Sequence, residues 1–368
     1  MLTKGDDYPI HQTALPIAFA GTDRNFFDRY FFNGYSPAGE HYFAVALGVY
    51  PNINIMDASF SIIHDGTQHS LHASRVLNME RMETVVGPIT VEVIEPLQKL
   101  VVRVAENEYG ITAELVFEGR VDVIEEPRFT HRVGPRTIFD YSRLTQSGQW
   151  SGWIEVAGDR IDVTPDKFRG TRDRSWGVRP IGQQDPQPLV PQSPPQFYFL
   201  WAPLNFDDSA FFYAENAFSD GSPWAKSARY ITLDKSISWE TAIASGQLAF
   251  KSGTRHAKSA TISCNFNDGG SLQAELEPQY NFYQSGLGYL NFEWGHGYFK
   301  GENEVGYESW ELAEVNEIDI KFWHVQAFCK ATLSGDQVDE KQGVGILEQL
   351  IVGAHQPSGF TDILDVAP

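Results

Sequence analysis

The chain has 368 residues and an ordinary globular composition, with 42% hydrophobic and 21% charged residues, and it carries a formal net charge of −20. Because one hydrophobic core rarely organises so long a chain, two domains are expected. The negative charge argues against nucleic acids and anionic membrane surfaces as partners, because both require a basic protein surface.

The N-terminal part of the chain offers one helix candidate and one hairpin. Asp23–Phe32 has aromatic residues at helical spacing, and Thr22 or Asp23 could cap its N-terminus, so a helix is predicted there. Farther along, two alternating segments, Ser59–Ile63 and Ser70–Leu77, flank Asp65-Gly66. This dipeptide between two alternating segments predicts a β-hairpin.

A period of two residues dominates the rest of the chain. Ile89–Ile94, Leu100–Val104 and Ile111–Phe117 alternate in this way, which predicts an antiparallel meander. The second half of the chain shows the same alternation in four segments: Ala210–Ala217, Ala228–Leu233, Ala257–Phe266 and Ser271–Leu276. These patterns predict an all-β protein with few short helices.

A proline-rich joint divides the chain near its middle. Pro180–Pro195 contains six of the 20 prolines and predicts an extended linker between domains at 1–179 and 196–368. The two halves carry alternating segments in a similar order around Asp65-Gly66 and Asp220-Gly221, which indicates two copies of one β-rich unit. An antiparallel unit of this size with a meander indicates an up-and-down barrel or a curved half-barrel with an interior cavity.

The densest candidate functional motif, Gly170–Pro180, lies just before the joint. It places Asp173 between Arg172 and Arg174, with Trp176 three residues after the aspartate. In a strand, the arginines and Trp176 would share one face and Asp173 would lie on the other. The first face suits a substrate with a carboxylate or carbonyl group beside an apolar ring, and Asp173 could act as acid or base. Alternatively, Asp173 is permanently ionised between arginine partners and forms a structural clamp.

Two further clusters are candidates for a site. His296 is a possible acid or base, and in a strand it would share a face with Trp294 and Tyr298 that could line a cavity. The alternative for His296 is a core histidine with satisfied hydrogen bonds. Tyr198 and Trp201, early in the second half, are candidate lining residues, and core packing is the alternative for both.

Several chemistries have no supporting motif. The chain has no dinucleotide fingerprint, no phosphate-binding glycine loop and no esterase nucleophile elbow. His69 and His72 would face opposite sides of a strand, and Cys264 and Cys329 form no Cys-x-x-Cys pattern, so no metal site is expected. Any chemistry should therefore need no cofactor. The lack of a signal-like or membrane-spanning apolar run predicts a cytoplasmic protein.

Several strings resemble a bacterial family of tandem lipocalin-like proteins: Asp28–Tyr35, Gly87–Ile89, Gly170–Pro180, Gly288-Tyr289 and Glu293–Gly297. More distantly, the chain is similar to the AttH-like and carotenoid 1,2-hydratase group and to fungal Diels–Alderases. This resemblance implies two tandem lipocalin-like antiparallel β-barrels. Within an Asp-His-x-Trp-like pattern of the hydratases, Asp173 and Trp176 match the acid and the indole, whereas Arg174 stands where the pattern has His.

The function predicted from these features is a cofactor-independent lyase or isomerase that acts by acid–base chemistry on a small hydrophobic terpenoid or aromatic molecule. The reaction would be a hydration, elimination, decarboxylation or cyclisation. The predicted catalytic residues are Asp173 and His296, and the predicted substrate-binding residues are Arg172, Arg174, Trp176, Tyr198, Trp201 and Trp294. The alternatives are a non-catalytic carrier of hydrophobic metabolites and a structural protein with filled barrels.

Overall fold

A computed structural model describes residues 2–9, 22–183, 195–267 and 270–368, and most of these residues lie in β-strands. The strands are β1 (Phe26–Tyr35), β2 (Tyr42–Tyr50), β3 (Ile55–His64), β4 (Thr67–Val76), β5 (Val85–Val86), β6 (Ile89–Glu95), β7 (Lys99–Val104), β8 (Thr112–Gly119), β9 (Ile124–Glu125), β10 (Phe129–Val133), β11 (Arg136–Val156), β12 (Asp159–Val163), β13 (Arg169–Val178), β14 (Phe197–Asn205), β15 (Ser209–Ala217), β16 (Pro223–Thr232), β17 (Ser238–Phe250), β18 (Ala257–Phe266), β19 (Ser271–Tyr283), β20 (Asn303–Glu311), β21 (Val325–Gly335) and β22 (Val338–Val352). The helices of the described residues are short 3-10 turns: Lys4–Asp7, Pro51–Ile53, Gln284–Leu287, Leu312–Glu314, Ile320–Phe322 and Gln356–Ser358. The predicted all-β fold class is confirmed.

The described strands form two sheets. The first has 14 strands, with the path β20-β4-β3-β2-β1-β13-β11-β8-β7-β6-β5, and β9, β10 and β12 also pair with β11. The second is a closed barrel of eight strands in the order β14-β15-β16-β17-β18-β19-β21-β22. Closure removes the exposed edges that an open antiparallel sheet would leave.

Two compact units divide the chain. The first comprises 1–190 and 285–314, and the second comprises 191–284 and 315–368. The sequence analysis assigned 285–314 to the C-terminal domain, but β20 pairs with β4 and therefore belongs to the first sheet. Most of the predicted linker, 184–194, lies outside the described residues, so the linker stays a prediction.

Local sequence signals predicted several of these elements. His64 pairs with Thr67, and Asp65 and Gly66 adopt positive φ angles of 48° and 77°, which confirms the predicted hairpin. The three segments of the predicted meander pair antiparallel as β6, β7 and β8. Gly66 suits this turn because a glycine adopts positive φ without the steric cost of a side chain.

The predicted helix at Asp23–Phe32 is wrong. Most of this segment lies in β1, which pairs antiparallel with β2 on one side and with β13 on the other. Phe27 and Phe32 lie on opposite faces of the strand, and both are completely buried. A central strand that is buried on both faces has a continuous apolar run, and such a run resembles the face of a helix in sequence.

The two faces of β1 to β4 differ in chemistry although both are largely buried. One face, the core face, carries apolar side chains such as Phe32, Val45 and Phe60 and forms the hydrophobic core of the first unit. The opposite face carries polar side chains, including Arg29 and Ser59. Buried polar groups are costly unless they are paired, so this polar face calls for an explanation.

The second unit has its core inside the closed barrel. Tyr198, Tyr213 and many alanines form this core, whereas Trp201 lies on the other face of β14. Cys264 and Cys329 are buried thiols of this unit, and burial raises the pKa of each. Among the described residues of both units, no helix combines the length and apolar character needed to cross a membrane.

Candidate functional site

The Gly170–Pro180 motif forms most of β13, which lies between β1 and β11. Arg172 and Arg174 pair with Phe32 and Tyr30 of β1 and share their core face, and Asp173 pairs with Phe31 and lies on the opposite face. The predicted split of the motif between two faces is confirmed. Arg172 and Arg174 therefore lie on the face opposite Asp173, where each has another carboxylate, and a structural role for Asp173 stays a prediction.

Arg172 and Arg174 form buried ion pairs within the first unit. Arg172 Nη1 lies 2.5 Å from Asp7 Oδ1, and its Nε donates to Gln146 Oε1 at 2.8 Å. Arg174 forms an ion pair with Asp28. Each guanidinium thus has a carboxylate partner inside the core, and the predicted role of these arginines in binding a substrate stays a prediction.

Asp173 is half-buried and acts electrostatically on a third arginine. Burial lowers the pKa of Arg143, but the carboxylate of Glu126 and, more weakly, that of Asp173 raise it overall. Arg143 donates from Nε and Nη2 to the two carboxylate oxygens of Glu126 at 2.7 and 2.6 Å. Trp176 is half-buried on the core-facing side of β13, opposite Asp28.

The segment from residue 291 to 298 is a loop, so the strand assumed for His296, Trp294 and Tyr298 is wrong. Trp294 stacks on His72 with ring centroids 5.4 Å apart, and Tyr298 accepts a hydrogen bond from Ser74 through its main-chain carbonyl. The loop belongs to the first unit. The three side chains therefore do not form a single lining face.

His296 is half-buried and is held by a nearby main-chain carbonyl. Its Nε2 lies 2.7 Å from the oxygen of Leu287, and its ring meets the ring of Tyr289 edge-on at 4.4 Å. Gly288 has φ of +93°, and a Cβ there would lie 2.7 Å from His296 Cδ2. Only glycine lets the chain pass this closely to the imidazole ring.

A carboxyl group that the sequence analysis did not select lies beside this loop. Asp57 of β3 accepts a hydrogen bond from the Gly297 N–H at 2.6 Å and another from the Tyr50 hydroxyl at 3.1 Å. Burial raises the pKa of Asp57 to about 6, although the Gly297 N–H, Arg29 and Tyr50 act in the opposite direction. Asp57 thus holds a proton much closer to neutral pH than an ordinary aspartate.

Arg29 completes this arrangement. Its side chain is almost fully buried, Nη2 donates to the Leu287 carbonyl at 3.3 Å, and the guanidinium lies 4.6 Å from the centre of the Tyr289 ring. Among the described residues, Arg29 Nε and Nη1 have no hydrogen-bond partner. Unused donors on a buried cation are costly, and they are therefore candidate contacts for a ligand oxygen.

We call this group the Arg29–Asp57 cluster; it comprises Arg29, Tyr50, Asp57, Tyr289 and His296. Arg29 and Tyr50 are buried, whereas Asp57, Tyr289 and His296 are half-buried. The cluster therefore combines a cationic binding group with a proton donor and a possible base. It is the arrangement of residues that the chemistry predicted from the sequence requires.

The sequence held weak signals for the two residues that were missed. Asp57 interrupts the apolar alternation of Ile55–Ile63 on the face opposite the core. Arg29 lies in Asp23–Phe32, which was predicted to be a helix in which its position had no special meaning. A charged residue inside a fully buried strand is a useful signal because such residues are rarely buried without a partner.

Tyr198 and Trp201 belong to the second unit and are nearly fully buried there. The Tyr198 ring stacks on the ring of His355 with centroids 3.8 Å apart, and Trp201 contacts Phe212 edge-on at 6.3 Å. Burial lowers the pKa of His355 to about 4. Core packing accounts for Tyr198, and a substrate-lining role for either residue stays a prediction.

A groove of about 690 Å³ lies in another part of the first unit. Its walls are mostly polar and include His41, His64 and Asp159. Ligand atoms of His64, Asp65 and Asp159 lie within 4.8 Å of one another, but both carboxylates are largely exposed. His41 Nδ1 in this groove is also buried without a hydrogen-bond partner among the described residues, but it belongs to an imidazole and not to a permanently charged guanidinium.

Comparisons with known proteins identify similar folds but do not identify a reaction. A family model described as a family of unknown function matches residues 2–361, and no curated protein matches the chain. A solved AttH-type protein from Nitrosomonas europaea is 13% identical with a TM-score of 0.52, over 93% of this chain and 98% of that chain.

Two further solved structures are similar. Kievitone hydratase from Nectria haematococca is 13% identical with a TM-score of 0.50, over 88% of each chain. CghA, solved with Sch210972, is 9% identical with a TM-score of 0.52, over 94% of this chain and 95% of that chain. The resemblance to AttH-like and hydratase proteins is therefore confirmed for the fold. At these identities the similarity shows the fold and does not establish a reaction for this chain.

Proposed function

The chain belongs to DUF8625, a family of unknown function, and we propose that it is an acid–base lyase of the hydratase type. Its substrate is a small hydrophobic molecule, terpenoid or aromatic, with a carbonyl or carboxylate oxygen. One observation carries the proposal: a buried guanidinium, two of whose donors have no partner among the described residues, lies in the same cluster as a carboxyl group whose pKa is about 6.

Arg29 binds the substrate oxygen in this proposal. A guanidinium presents its N–H groups as a planar fork that fits a carboxylate or carbonyl oxygen. Ligand binding would supply the partner that Nε and Nη1 lack among the described residues. The ring of Tyr289, which already packs on Arg29, offers an apolar surface for the rest of the substrate.

Asp57 and His296 transfer the protons. In a β-hydroxy carbonyl substrate, Arg29 polarises the carbonyl, His296 removes the proton from the adjacent carbon, and Asp57 protonates the departing hydroxyl. The products are water and a conjugated carbonyl compound, and hydration is the reverse reaction. His296 Nε2 donates to Leu287, which leaves the lone pair of the neutral ring on Nδ1.

The similarity in fold to kievitone hydratase supports this class of reaction by analogy. Asp173 remains a second candidate acid, because it lies on the same face of the first sheet as Arg29. Arg172, Arg174 and Trp176 have no assigned step in this reaction. The proposed chemistry needs only side chains and water.

The test examines any small molecule that co-purifies with the protein and a panel of possible substrates. Any small molecule extracted from the purified protein is identified by mass spectrometry, and β-hydroxy acids and ketones of increasing apolar size are incubated with the enzyme. Conversion appears as the loss or gain of one water and as absorbance of the conjugated product. We expect conversion by the wild type and by Asp159→Asn, a change at an exposed carboxylate, but not by Asp57→Asn.

Two outcomes would contradict the proposal. If the wild type returns every bound molecule unchanged and converts no member of the panel, the chain is a carrier. If Asp57→Asn converts substrate at the wild-type rate and Asp173→Asn does not, the acid is Asp173 and the role of Asp57 is lost.

A further inference from the structure

Three polar side chains on adjacent strands form a second array on the polar face of the first sheet. Ser59 of β3 lies directly opposite His72 of β4, and Ser59 Oγ is 3.0 Å from His72 Nδ1. His72 Nε2 lies 3.1 Å from Oε2 of Glu308, which is on β20 at the other side of β4. Nothing in the lyase reaction uses these residues.

We propose that Ser59 is a nucleophile activated by His72 and Glu308, and that this site cleaves small carboxylic esters. A serine, a histidine and a carboxylate in consecutive contact are the parts of a nucleophilic triad, which is recognised by geometry and roles and not by sequence order. The activity is separate from the lyase reaction and does not depend on it.

The contacts allow one role for each ring nitrogen. His72 Nε2 lies at ion-pair distance from Glu308 Oε2 but not in hydrogen-bond geometry. In the tautomer with its proton on Nε2, the lone pair of the neutral ring is on Nδ1, toward Ser59. His72 can therefore accept the serine proton, and Glu308 stabilises the imidazolium that results. Glu308 acts as a positioning residue, because it contacts His72 and not the reacting atoms.

Neighbouring side chains hold Glu308 and His72 in position. Asn291 Nδ2 donates to Glu308 Oε2 at 2.6 Å, which fixes the carboxylate. The indole of Trp294 stacks on the His72 ring with an interplanar angle of 10°. Sites built on strands keep their geometry better than sites on loops.

The surroundings of Ser59 favour a small acyl group. Ser59 is 7% exposed, and its neighbour across β2 is Ala46. The Tyr50 ring fills the space beside Gly48, because a Cβ at Gly48 would clash with it. The short side chain of Ala46 and the burial of Ser59 restrict this site to an acetyl-sized group and exclude a long acyl chain.

The reaction has two balanced steps. First, Ser59 Oγ attacks the ester carbonyl carbon, its proton moves to His72, and the C–O bond to the alcohol breaks as His72 protonates the leaving oxygen. Second, water attacks the acyl-serine, gives its proton to His72, and releases the carboxylic acid as the proton returns to Ser59. The net reaction consumes one ester and one water and yields one acid and one alcohol.

The test is covalent labelling of the full chain with a small alkyl fluorophosphonate. In this reaction a bond forms between serine oxygen and phosphorus, the P–F bond breaks, and fluoride leaves while the serine proton passes to His72. Tandem mass spectrometry of the folded wild type should find the adduct on Ser59. Ser61→Ala is the matched control, because Ser61 is buried on the same face and bonds to Ser70 instead.

Variants then separate nucleophile, base and positioning group. Ser59→Ala should lose the adduct and the hydrolysis of p-nitrophenyl acetate, and His72→Gln should slow labelling by about 100-fold. His69→Gln should label as the wild type, because His69 bonds to Tyr307. Glu308→Gln should lower the maximal labelling rate while the half-saturating probe concentration stays the same.

The proposal is overturned by two results. One is folded wild-type protein, verified by circular dichroism, that carries no adduct on Ser59. The other is a set of folded Ser59→Ala and His72→Gln variants that label and hydrolyse at the wild-type rate.

Discussion

The buried arginines on the two faces of the first sheet have different partners. On the core face, Arg172 and Arg174 are each paired with a carboxylate, Asp7 and Asp28. On the polar face, Arg29 has a carbonyl, an aromatic ring and a carboxyl group with a raised pKa around it, and two of its donors are unused among the described residues.

This difference separates groups that hold the fold from groups that are available for chemistry. A buried ion pair is a structural feature, and removing one partner is costly. Arg174 keeps its carboxylate partner, Asp28, although its nitrogens, like two of those of Arg29, make no hydrogen bond among the described residues. A buried cation without a carboxylate in an ion pair lowers stability and is retained where a ligand supplies one.

The largest effect is expected for Asp28→Asn on the core face. The Arg174 guanidinium would stay buried without its anion, which should cost about 3–5 kcal/mol of unfolding free energy. Urea unfolding of the wild type and the variant measures this loss. A loss below about 1 kcal/mol would mean that the core-face ion pairs are not structural, and the comparison between the faces would fail.

On the polar face, Asp57→Asn should instead increase the free energy of unfolding near neutral pH. Folding raises the pKa of Asp57 from 3.8 to about 6, so the folded state holds this proton more tightly than the unfolded chain. The stability from this group is fully present below about pH 4 and is lost as the pH rises through about 6.

An asparagine does not titrate, so Asp57→Asn should gain up to about 3 kcal/mol relative to the wild type at about pH 7.5 and nothing comparable at about pH 4. Urea unfolding at both pH values measures the difference. Equal effects of the variant at the two pH values would show that Asp57 has an ordinary pKa.

Arg29→Met should weaken ligand binding far more than it weakens the fold. Hydrogen bonds to a charged group contribute about 1.5–3 kcal/mol each, so affinity for benzoate, a minimal aromatic carboxylate, should fall by about 10- to 100-fold. Isothermal titration calorimetry measures the affinity. Arg103→Met, a change at an exposed arginine, is the control and should bind as the wild type.

One result of the calorimetry would contradict the prediction for Arg29. Equal benzoate affinity of the wild type and Arg29→Met would show that the unused donors of Arg29 do not contact the ligand. The face would then bind anions elsewhere or not at all.

The smallest effect on stability is expected for Gly288→Ala. The positive φ of +93° should cost about 1–3 kcal/mol, and the new Cβ would displace the His296 ring. Gly66→Ala is the matched control, because its φ is +77° and a Cβ there meets nothing within 4 Å. We expect a loss of stability in both variants, larger in Gly288→Ala because its Cβ would also lie 2.8 Å from the Trp294 carbonyl oxygen, and a loss of lyase activity in Gly288→Ala alone.

The features that could be predicted from sequence depend on local periodicity. The hairpin at Asp65-Gly66 and the division of Arg172 and Asp173 between two faces follow from turn chemistry and from a period of two. The helix at Asp23–Phe32 failed because a strand buried on both faces loses that period. Here one face of β1 is buried by the hydrophobic core and the other contacts Leu287 and Tyr289, which are far from β1 in the sequence.

The Arg29–Asp57 cluster depends on contacts that are distant in sequence. Gly297 is 240 residues from Asp57, and Leu287 is 258 residues from Arg29. From the sequence, His296 was predicted as an acid or base, and an arginine and an aspartate were predicted to act at a substrate oxygen. The residues predicted for these roles, Arg172, Arg174 and Asp173, are adjacent in sequence, whereas the fold brings together Arg29 and Asp57.

The central claim, that the polar face holds a carboxyl group able to act as an acid near neutral pH, can be tested by direct titration. Carbon-13 NMR of the aspartate carboxyl groups, with Asp57→Asn to assign the resonance, gives the pKa of Asp57 without knowledge of the substrate. We predict a pKa of about 6. A value at or below about 4, the range of an ordinary aspartate, would contradict the account.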